Sequence, residues 1–89
     1  MTFLERLVKA QADRKPTMLV SPQRRASAAE RTVASRVTGL HMWHTYAVIG
    51  VDEQGRKVKL YNPWGFDHPN GDGWVAIDDA QAFFEVLIA

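Results

Sequence analysis

The residues best suited to chemistry are His44 and Asn62, which lie at the two outer ends of a predicted β-hairpin. With the turn centred near Glu53, residues whose numbers sum to about 106 face each other, which puts this His and Asn on one face of the sheet with their Cβ atoms about 4.5–5.5 Å apart. An amide oxygen that accepts from one imidazole nitrogen fixes the tautomer, so that the other nitrogen can take a proton. The pair therefore suits the base and orienter of a nucleophilic site, and the alternative is an ordinary satisfied polar pair.

Trp64 follows Asn62 by two residues and is expected to cover the pair. A large indole at this place would exclude water and strengthen the hydrogen bond between imidazole and amide. We therefore include Trp64 in the candidate site as a shield, with His44 and Asn62 as the candidate catalytic residues.

The elements that must position these residues can be predicted along the whole chain. Thr2 and Glu5 have the spacing of a capping box, which predicts a helix over about residues 2–13. The hairpin itself combines a buried strand at 46–51, a turn at 52–55 and an alternating strand at 56–61. The other predicted elements are strands at 17–21, 73–77 and 86–88, and a short helix from 78, with Asp78 as its cap, to 84.

Residues 22–38 have the weakest pattern in the chain. Ala, Arg and Glu favour a helix there, but the apolar periodicity is weak. We expect a surface excursion or partial helix, acting as a variable loop or insertion within a single domain over residues 1–89. The predicted class is α+β, with a small antiparallel sheet, an N-terminal helix and a short C-terminal helix.

Composition limits the classes of protein that fit. The 89 residues are 46% hydrophobic and 24% charged, which is typical of one small globular domain. No apolar run approaches about 18 residues, and no signal peptide is visible, so we expect no membrane partner and a cytoplasmic location by default. The absence of cysteine excludes disulfides, thiolate metal sites and a cysteine nucleophile within these residues.

Charge is unevenly distributed between the two halves. Residues 1–38 contain eight Lys/Arg and three Asp/Glu, whereas residues 39–89 contain three and seven. The basic half lacks the interleaved aromatic side chains on which bases stack, so a solvated face is favoured over a nucleic-acid partner. A weaker alternative is a polyanion binder that uses residues 22–38.

Four motifs in order resemble those of calpain-like cysteine peptidases. Residues 39–48 (GLHMWHTYAV) are similar to the family's histidine motif, which is roughly G-L-x-x-G-H-A-Y-x-V. Residues 60–65 (LYNPWG) resemble its asparagine motif, and residues 71–74 (GDGW) resemble the G-x-W that follows. The tail from 77 to 87 is similar to the family's closing helix and last strand.

This resemblance implies the β-rich C-terminal lobe of the papain-like fold. It implies His44 as general base and acid, Asn62 as its orienter and Trp64 as their shield. In the complete enzyme it implies peptide-bond hydrolysis by a cysteine that belongs to an N-terminal lobe. We therefore expect this chain alone to be inactive, and its partners to be a peptide or protein substrate or the missing lobe.

The sequence also departs from the family pattern. Trp43 stands where a small residue usually precedes the histidine, and a large indole there could narrow the cleft. The family often binds calcium near the later tryptophan, but His68 and Ala76 stand where acids are expected; we expect no cofactor, with calcium on the remaining aspartates as the alternative. A zinc site on His41, His44 and His68 is disfavoured because His-x-x-His on a strand points to opposite faces.

One further function class stays open at this point. The chain could be a catalytically dead peptidase-like domain that binds a protein or peptide, or has a regulatory role. A lone lobe also exposes the face that its partner would cover, so we expect self-association.

Ser21, Ser27 and Ser35 lie in no motif for a substitute nucleophile. We expect Phe66, Trp74, Phe83 and Phe84 to fill the core.

Overall fold

A computed structural model of the protein describes residues 1–21 and 27–89. The described chain forms three helices and five strands. In order these are α1 (Phe3–Ala12), β1 (Thr17–Val20), α2 (Ala28–Arg36), β2 (Thr45–Asp52), β3 (Lys57–Tyr61), β4 (Trp74–Ala76), α3 (Ile77–Phe83) and β5 (Glu85–Ile88).

The five strands form one antiparallel sheet in the order β4-β3-β2-β1-β5. The predicted α+β class, with an N-terminal helix and a short C-terminal helix, is confirmed. The predicted hairpin register is wrong, because Val48 pairs with Leu60 and Val51 with Val58. The pairing also shifts between Val48 and Gly50, where an irregularity typical of a β-bulge adds a residue to β2.

The core lies between the helices and one face of the sheet. Alternate strand residues such as Leu19, Tyr46 and Leu60 are buried there, as period-two patterning requires. Helix α1 contributes Leu4 and Leu7, which its capping box at Thr2 and Glu5 helps to place. The remaining buried hydrophobic members of this cluster are Val33, Val37, Val48, Val58, Val75, Ile77, Ala80, Phe83 and Phe84.

Helix α2 occupies most of the segment with the weakest sequence pattern. Ser27 caps it, with its hydroxyl accepting from the Glu30 amide while the Glu30 carboxylate accepts from the Ser27 amide. Val33 is buried against the rest of the core. Residues 22–26, which include Arg24 and Arg25, lie outside the described residues, as do the expectations made for them.

Two predictions near the C-terminus need correction. Asp78 does not cap α3, because β4 continues directly into the helix. The N-cap position is Ala76, which has no side chain that could make a capping hydrogen bond. The Ile77 amide donates instead to the carbonyl of Arg56, whose guanidinium binds Asp78. Phe66 is 65% exposed rather than part of the core, whereas Phe83 and Phe84 are buried as predicted and Trp74 is half-buried.

Among the described residues, no helix combines the length and the apolar character needed to cross a bilayer.

Candidate functional site

The predicted contact between His44 and Asn62 is present, although the predicted strand pairing is not its cause. The His44 Nε2 and the Asn62 Oδ1 lie 2.8 Å apart. His44 precedes β2, and Asn62 follows β3, beyond the last paired residues of that hairpin, Ala47 and Tyr61. The two side chains therefore meet where the strands end, and loop geometry rather than ladder register brings them together.

Ser21 fixes the backbone of His44 from the neighbouring strand. Its buried hydroxyl donates to the His44 carbonyl oxygen at 2.8 Å and accepts from the His44 amide at 2.6 Å. The Ser21 amide donates to the same carbonyl oxygen at 2.8 Å. These three hydrogen bonds hold the histidine backbone at the point where it leaves the sheet. Sequence analysis missed this role and considered Ser21 only as a nucleophile.

Asn62 begins a tight turn that explains the N-P-W-G sequence. The carbonyl oxygen of Asn62 accepts from the Gly65 amide at 2.9 Å, and its side-chain Oδ1 accepts from the Trp64 amide at 3.1 Å. Proline at position 63 presets the backbone angle for the second residue of such a turn. Gly65 has φ +82°, a conformation that glycine adopts without steric cost.

The surroundings of Asn62 determine which way its amide points. Asn62 is fully buried; its Nδ2 donates to the Asp67 carbonyl oxygen at 3.1 Å, while its Oδ1 accepts from the Trp64 backbone amide. A carbonyl cannot donate and a backbone amide cannot accept, so these partners exclude the flipped amide. Oδ1 therefore faces His44 as an acceptor, and the His44 Nε2 must carry the proton.

This arrangement leaves the His44 Nδ1 as the nitrogen available for proton transfer. In a neutral imidazole only one ring nitrogen carries a proton, and here the amide of Asn62 places it on Nε2. Nδ1 makes no hydrogen bond to any residue that the structure describes. The half-buried ring thus has one nitrogen held by the protein and one that can take a proton from a neighbouring nucleophile.

Tyr46 closes the loop that leads to His44. Its buried hydroxyl donates to the Gly39 carbonyl oxygen and accepts from the His41 amide, both at 3.0 Å. Burial raises the pKa of the Tyr46 hydroxyl, so it stays protonated and able to donate at neutral pH. Its ring packs edge-on against His44, with centroids 4.8 Å apart. The tyrosine therefore supports both the loop and the imidazole.

Trp64 lies over the imidazole of His44, as predicted, with ring centroids 4.4 Å apart. It is nevertheless 52% exposed, and so forms an outer wall rather than a buried seal. Trp43 is 66% exposed and has φ +57°, a left-handed conformation that is strained for a large side chain. The Trp64 ring also lies beside the exposed Phe66, with centroids 6.1 Å apart, so two aromatic side chains line the site on its solvent side.

His41 and Asp67 stand beside the site as a second pair that sequence analysis did not identify. The His41 Nε2 and the Asp67 Oδ2 are 2.7 Å apart. The imidazole of His41 also lies near that of His44, with ring centroids 5.9 Å apart. Neither residue matches a fixed position of the family motifs, so only the contact reveals their relation. The Nδ1 of the nearby His68 accepts a hydrogen bond from the backbone N–H of Asn62.

The aspartates considered for calcium have separate partners. Asp67 contacts His41, Asp72 accepts from the Trp74 amide, and Asp78 and Asp79 bind arginines. Across residues 1–21 and 27–89, no three His, Asp or Glu side chains converge in a way that could hold a metal ion. The candidate site therefore consists of the His–Asn pair and its aromatic surroundings.

In comparisons with known proteins, no family model, no curated protein and no solved structure matches this chain. The case for a function accordingly depends on the geometry of the site.

Proposed function

We propose that this chain is the His/Asn-bearing half of a calpain-like cysteine endopeptidase, completed by a segment that carries the cysteine. The observation that supports this most is the hydrogen bond from the His44 Nε2 to the fully buried Asn62 amide. It leaves Nδ1 as the base, and a base held by a third group is the arrangement that activates a thiol.

In this mechanism His44 moves one proton in two steps. Nδ1 takes the proton of the thiol, and the thiolate then attacks the peptide carbonyl carbon. The imidazolium keeps the hydrogen bond from its Nε2–H to the Asn62 Oδ1. Its Nδ1 then gives the proton taken from the thiol to the departing amine. Water next hydrolyses the thioester, with His44 again acting as base, and this regenerates the thiol.

Backbone conformations at the motif positions support the same proposal. The histidine motif has glycine at the positions of Gly39 and Trp43, and the asparagine motif has glycine at Gly65. All three residues have positive φ here, at +75°, +57° and +82°. Trp43 thus keeps a backbone conformation that suits glycine, at a steric cost of about 1–2 kcal/mol. A fold that retains this conformation despite a tryptophan has a geometric need for it at this point.

The nucleophile has to come from outside these residues. The sequence has no cysteine. Each of the serines considered as substitutes already makes a hydrogen bond within the protein: Ser21 binds the His44 backbone, Ser27 caps α2, and Ser35 donates to the Thr32 carbonyl oxygen. We therefore expect no peptide hydrolysis by this chain alone, and a cysteine-bearing lobe as its partner.

The test is to restore the complete site. Coding segments on both sides of this one are searched for the cysteine-bearing lobe that the resemblance implies, and each candidate is produced together with this chain. We expect peptide hydrolysis that iodoacetamide blocks and that His44→Ala lowers by about a hundred- to ten-thousandfold. Ser35→Ala, on an exposed face of α2, serves as the control and should leave the rate unchanged. Hydrolysis that survives His44→Ala, or no hydrolysis with any cysteine-bearing segment, would count against the proposal.

A second candidate function is a peptidase-like binding module. The exposed Trp64 and Phe66, whose ring centroids are 6.1 Å apart, favour it together with the exposed Trp43, because exposed aromatic side chains are typical of protein interaction sites. On this account the occupant is a peptide, a protein or a second copy of the chain. Binding should then survive His44→Ala but weaken in Trp43→Ala, as measured by calorimetry or sedimentation. Equal loss in both variants would argue against a role independent of the histidine.

A further inference from the structure

The indole of Trp64 needs an additional support if it is to act as a shield. It is 52% exposed, and exposed side chains change rotamer within nanoseconds. The hydrogen bond from its backbone amide to Asn62 fixes the main chain but leaves the ring free to turn. Its position over His44 therefore depends on what else the indole ring contacts.

His41 supplies that support. Its imidazole packs against Trp64 with centroids 5.1 Å apart, so the indole contacts two imidazoles, those of His41 and His44. The ring of His41 is itself held by Asp67, with its Nε2 2.7 Å from the carboxylate and its backbone amide bound to the Tyr46 hydroxyl. Both ends of this histidine are thus attached to the framework of the site.

Asp67 connects the support back to the orienter. Its backbone carbonyl oxygen accepts from the Asn62 Nδ2 at 3.1 Å, while its carboxylate holds His41. The contacts form a closed ring that runs from His44 through Asn62, Asp67, His41 and Trp64 back to His44. Asp67 therefore links Asn62, which orients His44, with His41, which contacts Trp64.

We infer that His41 and Asp67 are positioning residues that hold Trp64 over the His44–Asn62 hydrogen bond. The inference rests on the proposed function, because it gives the pair a role only if that hydrogen bond serves the base. The side chains of His41 and Asp67 are 35% and 42% exposed, so water partly screens the contact between them and its contribution should be modest. Breaking it should let water reach the His44 Nε2 proton more often.

The experiment measures exchange of the His44 Nε2 proton with water by NMR in the full chain. His41→Val removes the contact with Asp67 and the ring contact, and Asp67→Asn removes the carboxylate charge while it keeps a hydrogen-bonding group. We expect exchange to become about two- to fivefold faster in each, which corresponds to the usual strength of a solvent-exposed contact with a carboxylate. His41→Gln, which keeps a donor for Asp67, should recover part of the protection.

The matched control is Asp78→Asn. It makes the same chemical change in another exposed carboxylate, one that binds Arg56 near the turn at the opposite end of the β2–β3 hairpin. This control should leave the exchange rate unchanged, and backbone amides in the core strands should keep their protection in every variant.

The possible results separate the inference from the proposed function. Unchanged exchange in both His41→Val and Asp67→Asn would overturn the inference and leave the His–Asn pair intact. Equal acceleration in Asp78→Asn would overturn it too, because the effect would then be general. A wild-type chain without a protected Nε2 proton would instead remove the basis of the proposed function, and the inference would fail with it.

Discussion

Replacing Ser21 with alanine tests how the sheet delivers the candidate base. The hydroxyl of Ser21 both donates to the His44 carbonyl oxygen and accepts from the His44 amide. In Ser21→Ala the carbonyl keeps its bond from the Ser21 amide, at 2.8 Å, but the His44 amide loses its acceptor. The variant therefore leaves one backbone donor without a partner at a site where the serine itself is only 1% exposed.

The expected cost follows from that single donor. An unsatisfied buried amide costs about 1–3 kcal/mol, and we take about 2 kcal/mol as the central value. In a domain of this size each kcal/mol lowers the melting temperature by about 4–8 °C, so Ser21→Ala should melt about 8–16 °C lower. Urea unfolding followed by circular dichroism gives the free energy directly, and the slope with denaturant should stay constant.

Ser35→Ala provides the matched control. Ser35 lies on the exposed side of α2, where its hydroxyl donates to the Thr32 carbonyl oxygen. The same substitution there should change stability by less than about 0.5 kcal/mol. If Ser21→Ala were as mild as this control, Ser21 would not hold the His44 backbone, and the argument from its three hydrogen bonds would be refuted.

Three other perturbations test separate parts of the structure. A Cβ at Gly73 would collide with the Leu60 carbonyl oxygen, whereas one at Gly71 would meet open space, and both glycines have positive φ. Gly73→Ala should therefore lower the free energy of unfolding more than Gly71→Ala does, as measured by chemical denaturation. Equal losses would contradict the close approach at Gly73. Tyr46→Phe leaves two backbone groups without their partner and should cost about 1–3 kcal/mol by the same assay, against no change if water replaces the hydroxyl. Hydrogen bonds from the N-cap threonine's backbone and hydroxyl lower the pKa of Glu5, so this carboxylate stabilises α1 above the ordinary glutamate pKa, and the stabilisation is lost as pH falls through the lowered value. The protection of amides at the start of α1, taken relative to intrinsic exchange at each pH, should fall in acid, and Glu5→Gln should abolish that dependence.

The residues of the site could be predicted from the sequence, but the strand register that positions them could not. Residue types and spacing brought His44, Asn62 and Trp64 together, and their contacts are present. The register on which that prediction relied is wrong, because the turn lies later than Glu53 and a bulge near Ile49 shifts the pairing. Both depend on tertiary packing and on backbone angles that a two-residue alternation does not reveal.

Some signals in the sequence were present but too weak alone. Ser27 and Glu30 have the same capping-box spacing as Thr2 and Glu5, and they do cap α2. The apolar side of that helix is narrow, with Val33 as its buried hydrophobic residue, so periodicity did not favour a helix. Local capping chemistry was the better guide where the hydrophobic pattern was sparse.

Other parts of the site could not be predicted from local patterns at all. Ser21 acts across 23 positions of sequence, and His41 contacts Asp67 across 26. Such pairs depend on how the segments before β2 and after β3 fold at the end of the sheet. Nothing in the residue types distinguishes this serine from an ordinary strand end, or this aspartate from a solvated one.

The measurement that tests the central claim most directly is the position of the proton on the His44 ring. Nitrogen-15 chemical shifts of both ring nitrogens are recorded at pH 9, where imidazoles are ordinarily neutral. We expect a protonated Nε2 and a bare Nδ1, and in Asn62→Ala a mixture of the two tautomers. A wild-type ring that carries its proton on Nδ1, or one that Asn62→Ala leaves unchanged, would contradict the claim that this amide prepares His44 to act as a base.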